Sequence, residues 1–205
     1  MFKKYIGTKE FYKMALLVAV PIMLQNGITN LVGMLDNIMV GQLGTEQMTG
    51  VSVVNQLIFV FNLCIFGGVS GAGIFSAQFF GKGDHVGVRD AFRFKLITCL
   101  VLTALGFFIF GFFGDDLISL YLHGKDGAGD KALTLEYGSK FLKVMMIEML
   151  PFAIVQAYVS TLRDTGETVI AMKAGIIAVL INVSINYLLI YGMFGLPELG
   201  VVGAA

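Results

Sequence analysis

The chain has 205 residues, 57% of them hydrophobic and only 14% charged, with no net charge and a mean hydropathy of +0.82. Soluble domains carry roughly 25% charged residues, so a water-soluble globule is excluded, and basic residues dispersed among acids form no stripe for nucleic acid. The composition predicts an all-α, polytopic transmembrane helix bundle in contact with membrane lipid.

A helix needs about 20 apolar residues, at ~1.5 Å each, to cross a hydrocarbon layer of ~30 Å. Five blocks meet that length, at residues 11–40, 48–80, 92–113, 136–162 and 169–194, and residues 199–205 begin a sixth. The first block follows Lys3, Lys4, Lys9 and Lys13 and runs through Pro21 without a cleavage site, which reads as a retained helix and not a signal peptide. Proline removes a backbone donor and can bend a helix, making Pro21 a candidate hinge. The block ends in LVGMLDNIMVGQLG, Leu31 to Gly44, where one carboxylate, Asp36, interrupts an apolar run before a glycine-bounded turn.

The second block carries Gly67 and Gly71 four apart, a spacing that lets helices approach closely. Lys82, Arg89, Arg93 and Lys95 follow it in a loop reading with no nucleotide-binding signature. After the third block a polar segment, residues 114–133, reads as the longest loop and contains His123; this histidine and His85 read as solvated. Cys64 and Cys99 lie within apolar blocks and read as packing residues. The fourth block contains Glu148 and Pro151, and the fifth carries Asn182 and Asn186 four residues apart. With an inner amino terminus, ten of the fourteen basic residues fall on the cytoplasmic side, as the positive-inside rule requires.

An aspartate at the centre of a spanning helix costs about 2.5 to 3.5 kcal/mol on insertion scales, so it calls for a partner, a cavity or a role. Asp36 lies ~30 Å along the helix from Leu16, in the outer third of the membrane, where an interfacial acid near a helix end is the plain alternative. At 100° per residue, Gln25 and Thr29 each fall within about 20° of Asp36, and Asn26 and Asn30 form a second polar pair. Asn182 and Asn186 share a face of the fifth block and offer amide groups to the same acid. A carboxylate with amide oxygens suits a proton or a hard monovalent cation, and the alternative is that the asparagines only join helices. Asn55, Gln56 and Asn62, with Gln156 and Tyr158, are candidates to line the same cavity. Glu148 reads either as a second protonatable group or as a partner for a carbonyl freed by Pro151. The sequence holds no catalytic constellation, no cofactor motif and no metal cluster, and Asp36 is a candidate for a proton or a sodium ion, so no enzyme is expected.

Taken together, VPIMLQN, LDNIMVGQLG, GGVSGAGIFSAQFFGKGD, STLRDTGET and INVSINYLLIYGMFGLPELGVVGAA resemble the amino-terminal half of the multidrug and toxic compound extrusion (MATE) family over essentially the whole chain. The resemblance implies one six-helix lobe of a two-lobe, twelve-helix exporter of drugs or other small amphipathic organic compounds, driven by H+ or Na+ across the cell membrane. It also implies that Asp36 is the principal cation site and that Asn182 and Asn186 are the fifth-helix polar pair. One branch of the family has an aspartate where this chain has Asn186. The expectation is that a carboxy-terminal lobe is missing from the sequence. Two other readings are a flippase for a lipid-linked glycan, disfavoured by spans nearly free of Lys and Arg, and a non-transporting membrane subunit.

Overall fold

The computed structural model describes residues 7–42, 44–123, 130–191 and 203. Those residues form five long helices: α1 (Lys9–Gly41), α2 (Thr45–Gly81), α3 (His85–His123), α4 (Lys131–Asp164) and α5 (Thr168–Tyr191). Each is long and apolar enough to cross a membrane, and their outward faces carry large apolar residues such as Phe66, Phe94, Phe112, Ile177 and Leu180, as contact with hydrocarbon requires. The expected sixth helix lies outside the described residues.

Local chemistry fixes the ends. Thr8 caps α1 by accepting from the Phe11 amide, and Asp130 caps α4 by accepting from Ala132 and Leu133. Between α2 and α3 the chain reverses at Gly83 (φ 74°), where the Asp84 carboxylate accepts from the Gly87 amide at 2.9 Å. Gly166 (φ 80°) does the same between α4 and α5. Both proline-containing helices, α1 at Pro21 and α4 at Pro151, continue through the ring.

α2, α3 and α4 pack on one another as a three-helix core, whereas α1 packs chiefly on α5 and touches the core more sparingly. Val54, Ile58, Phe61 and Ile65 of α2 meet Phe141, Leu142, Met149 and Ala153 of α4, with Cys99, Ile118 and Leu122 from α3. Cys64 stands exposed, away from that packing. α1 contributes little: of its 33 residues only Pro21 and Val40 are buried. The result is a cleft between the α1/α5 pair and the core.

Two expectations need correction. α3 extends beyond residues 92–113 at both ends, and residues 114–123 are helix, not loop. Ile118 and Leu122, one turn apart, are buried against the core, and Ser139 of α4 donates to the Asp115 carboxylate at 2.6 Å, so tertiary contacts carry the helix past its acids. Gly67 and Gly71, at the spacing expected of a helix contact, face open space. The close approach falls instead at Gly50 and Gly138: a methyl group on Gly50 would lie 2.9 Å from the Thr134 carbonyl oxygen and the Gly138 amide nitrogen.

Gly50→Val should therefore push α2 from α4 and destabilise the bundle by about 1–3 kcal/mol or more, while Gly67→Ala should be neutral or mildly stabilising. Melting temperatures in detergent check both, and equal losses would contradict the assigned contact.

Candidate functional site

Four helices contribute to a cavity of about 540 Å³ at the α1/α5 side of the core. α1 supplies Asp36 and Asn37, α2 Asn55, α4 Glu148, and α5 Asn182 and Asn186, above apolar walls from Val40, Val51, Phe141 and Met145. Asn186 is 5% exposed and donates its amide to Asp36 Oδ1 at 3.1 Å and to Asn182 Oδ1 at 3.3 Å. That bond joins α1 to α5 across 150 positions of sequence. Asn186 reaches both partners because Asn182 precedes it by one helical turn.

Two carboxylates, Asp36 and Glu148, thus share one cavity whose lining holds no lysine or arginine among the described residues. Amide groups from three helices surround them. Glu148 also borders a smaller void of about 60 Å³ beside Asn62, Ile58 and Phe61. Such an arrangement is chemically suited to a small cation or a proton: it offers negative charge and neutral oxygens and no competing positive group. Asn37 was not singled out from the sequence; its place next to the acid was the available signal.

Other candidates separate from this group. Gln25 lies near the opposite end of the cleft, where its Oε1 accepts from Arg163 of α4 at 3.0 Å. It reaches Arg163 through a gap at Gly175 of α5, where a methyl group would stand 2.6 Å from Gln25 Nε2. Thr29 is exposed and donates to the Gln25 backbone carbonyl at 3.0 Å. Asn30 and Gln56 are exposed and outside the cavity. Tyr158 is 54% exposed and packs on Phe92 with ring centroids 4.8 Å apart. Gln156 lines a second cavity of about 500 Å³, with Asn26, Ser70, Ser160, Arg163 and Asp164. The shared face expected of Gln25, Thr29 and Asp36 along α1 resolves into polar sites at different depths.

The second site contains a residue that sequence reading misplaced. Lys95 counts as a loop cation by its neighbours, yet it is 0% exposed, ion-paired with Asp164 and bonded to Ser160 Oγ at 3.0 Å and Thr161 Oγ1 at 3.3 Å. The signal was an Arg-Asp pair closing the fourth block without an evident partner.

Five long apolar helices around a cluster of acid and amide side chains define a multi-pass membrane protein. The chain belongs to the MatE family, whose model matches residues 21–188. That family consists of transporters and not enzymes. It is 28% identical to a probable multidrug resistance protein NorM of Thermotoga maritima, over 100% of this chain and 43% of that protein. A Rhizobium meliloti protein of the same name is 31% identical over 83% of this chain and 35% of its own length. The multidrug resistance protein PmpM of Pseudomonas aeruginosa is 27% identical over 92% and 38%. Among solved structures, an outward-facing multidrug resistance MATE family transporter superposes with a TM-score of 0.78 at 22% identity, and a MOP superfamily transporter from Pyrococcus furiosus with 0.77 at 21%. Each alignment covers 94% of this chain and 40% of the solved one, and these likenesses bear on the fold. The chain spans well under half the length of the relatives it matches.

Asn186→Leu removes the α1/α5 hydrogen bond without changing side-chain bulk greatly, and should lower stability by about 1–2 kcal/mol. Thermal unfolding in detergent reads the loss. Asn30→Leu, on an exposed site without that bond, should change it little, and an equal loss there would show the bond to be unimportant.

Proposed function

We propose that this chain is the amino-terminal lobe of a cation-coupled antiporter that exports drugs or other small amphipathic organic compounds, using H+ or Na+. The carrying observation is the hydrogen bond from Asn186 to Asp36, which ties a titratable group on α1 to α5 inside a cavity that also holds Glu148. Ionisable residues within a membrane are costly and mark ion pathways. The names of the relatives, as multidrug resistance proteins, support the substrate class.

The geometry gives coupling a physical route. With Asp36 ionised, Asn186 holds α1 by an amide N–H directed at the carboxylate. A proton on Asp36 removes the negative charge that makes this bond strong. A sodium ion would instead be met by oxygen, and a half-turn about the soft terminal torsion of Asn186 exchanges its nitrogen for its oxygen at the same place. Asn182 and Asn55 complete the oxygen set. Either event rewrites the α1/α5 link, and α1, which buries so little against the core, follows by bending at Pro21. Substrate occupies the cleft, and alternation needs a second lobe of six helices on the carboxy-terminal side, in keeping with repeat-built transporters. The basic-residue asymmetry supports a cytoplasmic amino terminus, and the membrane proposed for the lobe is the cell membrane.

Full-length protein in liposomes, with a pH gradient or a sodium gradient imposed separately, should export a fluorescent organic cation under one of them. Asp36→Asn should cut that gradient-driven export at least roughly tenfold, about 1.4 kcal/mol of coupling or more. Unchanged export in Asp36→Asn under both gradients would refute the proposal.

A further inference from the structure

The second cavity, lined by α1, α2 and α4, lies apart from the Asp36 group, and its charges do not balance. Lys95 of α3 gives its ammonium group to Asp164, Ser160 and Thr161 of α4, which satisfies the acid of that cavity. Arg163, adjacent to Asp164, makes no ion pair among the described residues. One of its Nη groups donates to Gln25 at 3.0 Å, and its Nε is buried with no acceptor among the described residues. The groove that continues past Arg163 adds one acid and one base, Glu10 and Lys13, so one positive charge stays uncompensated.

A guanidinium keeps its charge at any physiological pH and has five donors in a rigid plane. A buried N–H without a partner is destabilising, so an acceptor at Arg163 is favoured. Space for one exists in the cavity of about 500 Å³, where Asn26, Ser70, Gln156 and Ser160 offer neutral polar groups. Beyond it, Met14, Leu17, Val18 and Phe80 form an apolar wall along the groove.

We propose that this cavity is an anion site, in which Arg163 takes the carboxylate or phosphate group of a ligand whose apolar portion lies along α1. Planar guanidinium meets such oxyanions with paired, charge-assisted hydrogen bonds. Lys95 is the residue that makes this workable: by neutralising Asp164 it removes the negative charge that would otherwise occupy Arg163 or repel the ligand. The site is separate from Asp36 and stands whether or not Asp36 carries a cation. The anionic group belongs either to a lipid headgroup of the bilayer or to a free anion.

The sequence contains three arginines, Arg89, Arg93 and Arg163, so isotope-labelled arginine gives three Nε–H resonances in the full protein in nanodiscs if the rest of the chain adds none, and Arg163→Lys identifies the relevant one by its loss in any case. Inorganic phosphate added to phosphatidylcholine nanodiscs tests a free anion, and phosphatidylglycerol in place of part of the lipid tests a headgroup. The Arg163 resonance should shift saturably in at least one arm, and the shift should persist in Asp36→Asn. Arg163→Gln should weaken thermal stabilisation by the same anion roughly tenfold. The resonance is read in the unaltered chain, so the test stands even where Arg163→Gln folds poorly. An unmoved Arg163 signal in both arms overturns the proposal, and so does an undiminished anion response in Arg163→Gln.

Discussion

α1 depends on polar contacts to an extent that the other helices do not. Between helices in lipid there is no hydrophobic driving force, since hydrocarbon chains are as apolar as leucine, and association rests on packing and interhelical hydrogen bonds. α2, α3 and α4 meet that condition by close packing, with glycine against glycine at Gly50 and Gly138 and a continuous apolar seam. α1 buries only Pro21 and Val40 and lies mainly along α5. Two side-chain hydrogen bonds attach it to other helices, Asp36 with Asn186 toward its carboxy-terminal end and Gln25 with Arg163 at mid-helix. Whatever changes either contact changes how the helix is held.

The two attachment points differ in character. Around Asp36 the lining is acidic and amide-rich, with no basic group among the described residues. Around Arg163 the balance is reversed, because Lys95 cancels Asp164. A wholly buried lysine is tolerated only with its partners in place, since removing one member of such a pair leaves an uncompensated charge in a poorly polarisable setting. The two attachment points, ~16 Å apart along one helix, thus have opposite polarity.

How far the sequence reached can be seen residue by residue. Asp36, Asn182 and Asn186 were legible because an acid in an apolar run has few explanations and one helical turn between asparagines fixes a shared face. Gln25 was drawn to the same place by its phase, but phase gives direction and not depth: eleven residues separate it from Asp36, or ~16 Å along the axis. Gly67 and Gly71 had the right spacing for contact and no partner opposite, whereas Gly50 and Gly138 come from different helices and carry no local signature. Lys95 was read from its neighbours, while its burial depends on Asp164, 69 positions away. The far end of α3 was hidden by Asp115 and Asp116, which break an apolar run without breaking the turn-to-turn spacing of Ile118 and Leu122. Local pattern found the helices and the acid; pairings between distant segments were beyond it.

Four of the five helices, α1 to α4, are longer than a bilayer needs. α3, with 39 residues, extends ~58 Å against a hydrocarbon thickness of ~30 Å, so its ends project well outside the lipid. Such overhang works as a lever. A tilt of about 10° around the membrane midplane carries each end of α3 sideways by about 5 Å, a distance comparable to one helical turn. Any small change of angle at mid-depth is thereby magnified at the aqueous faces.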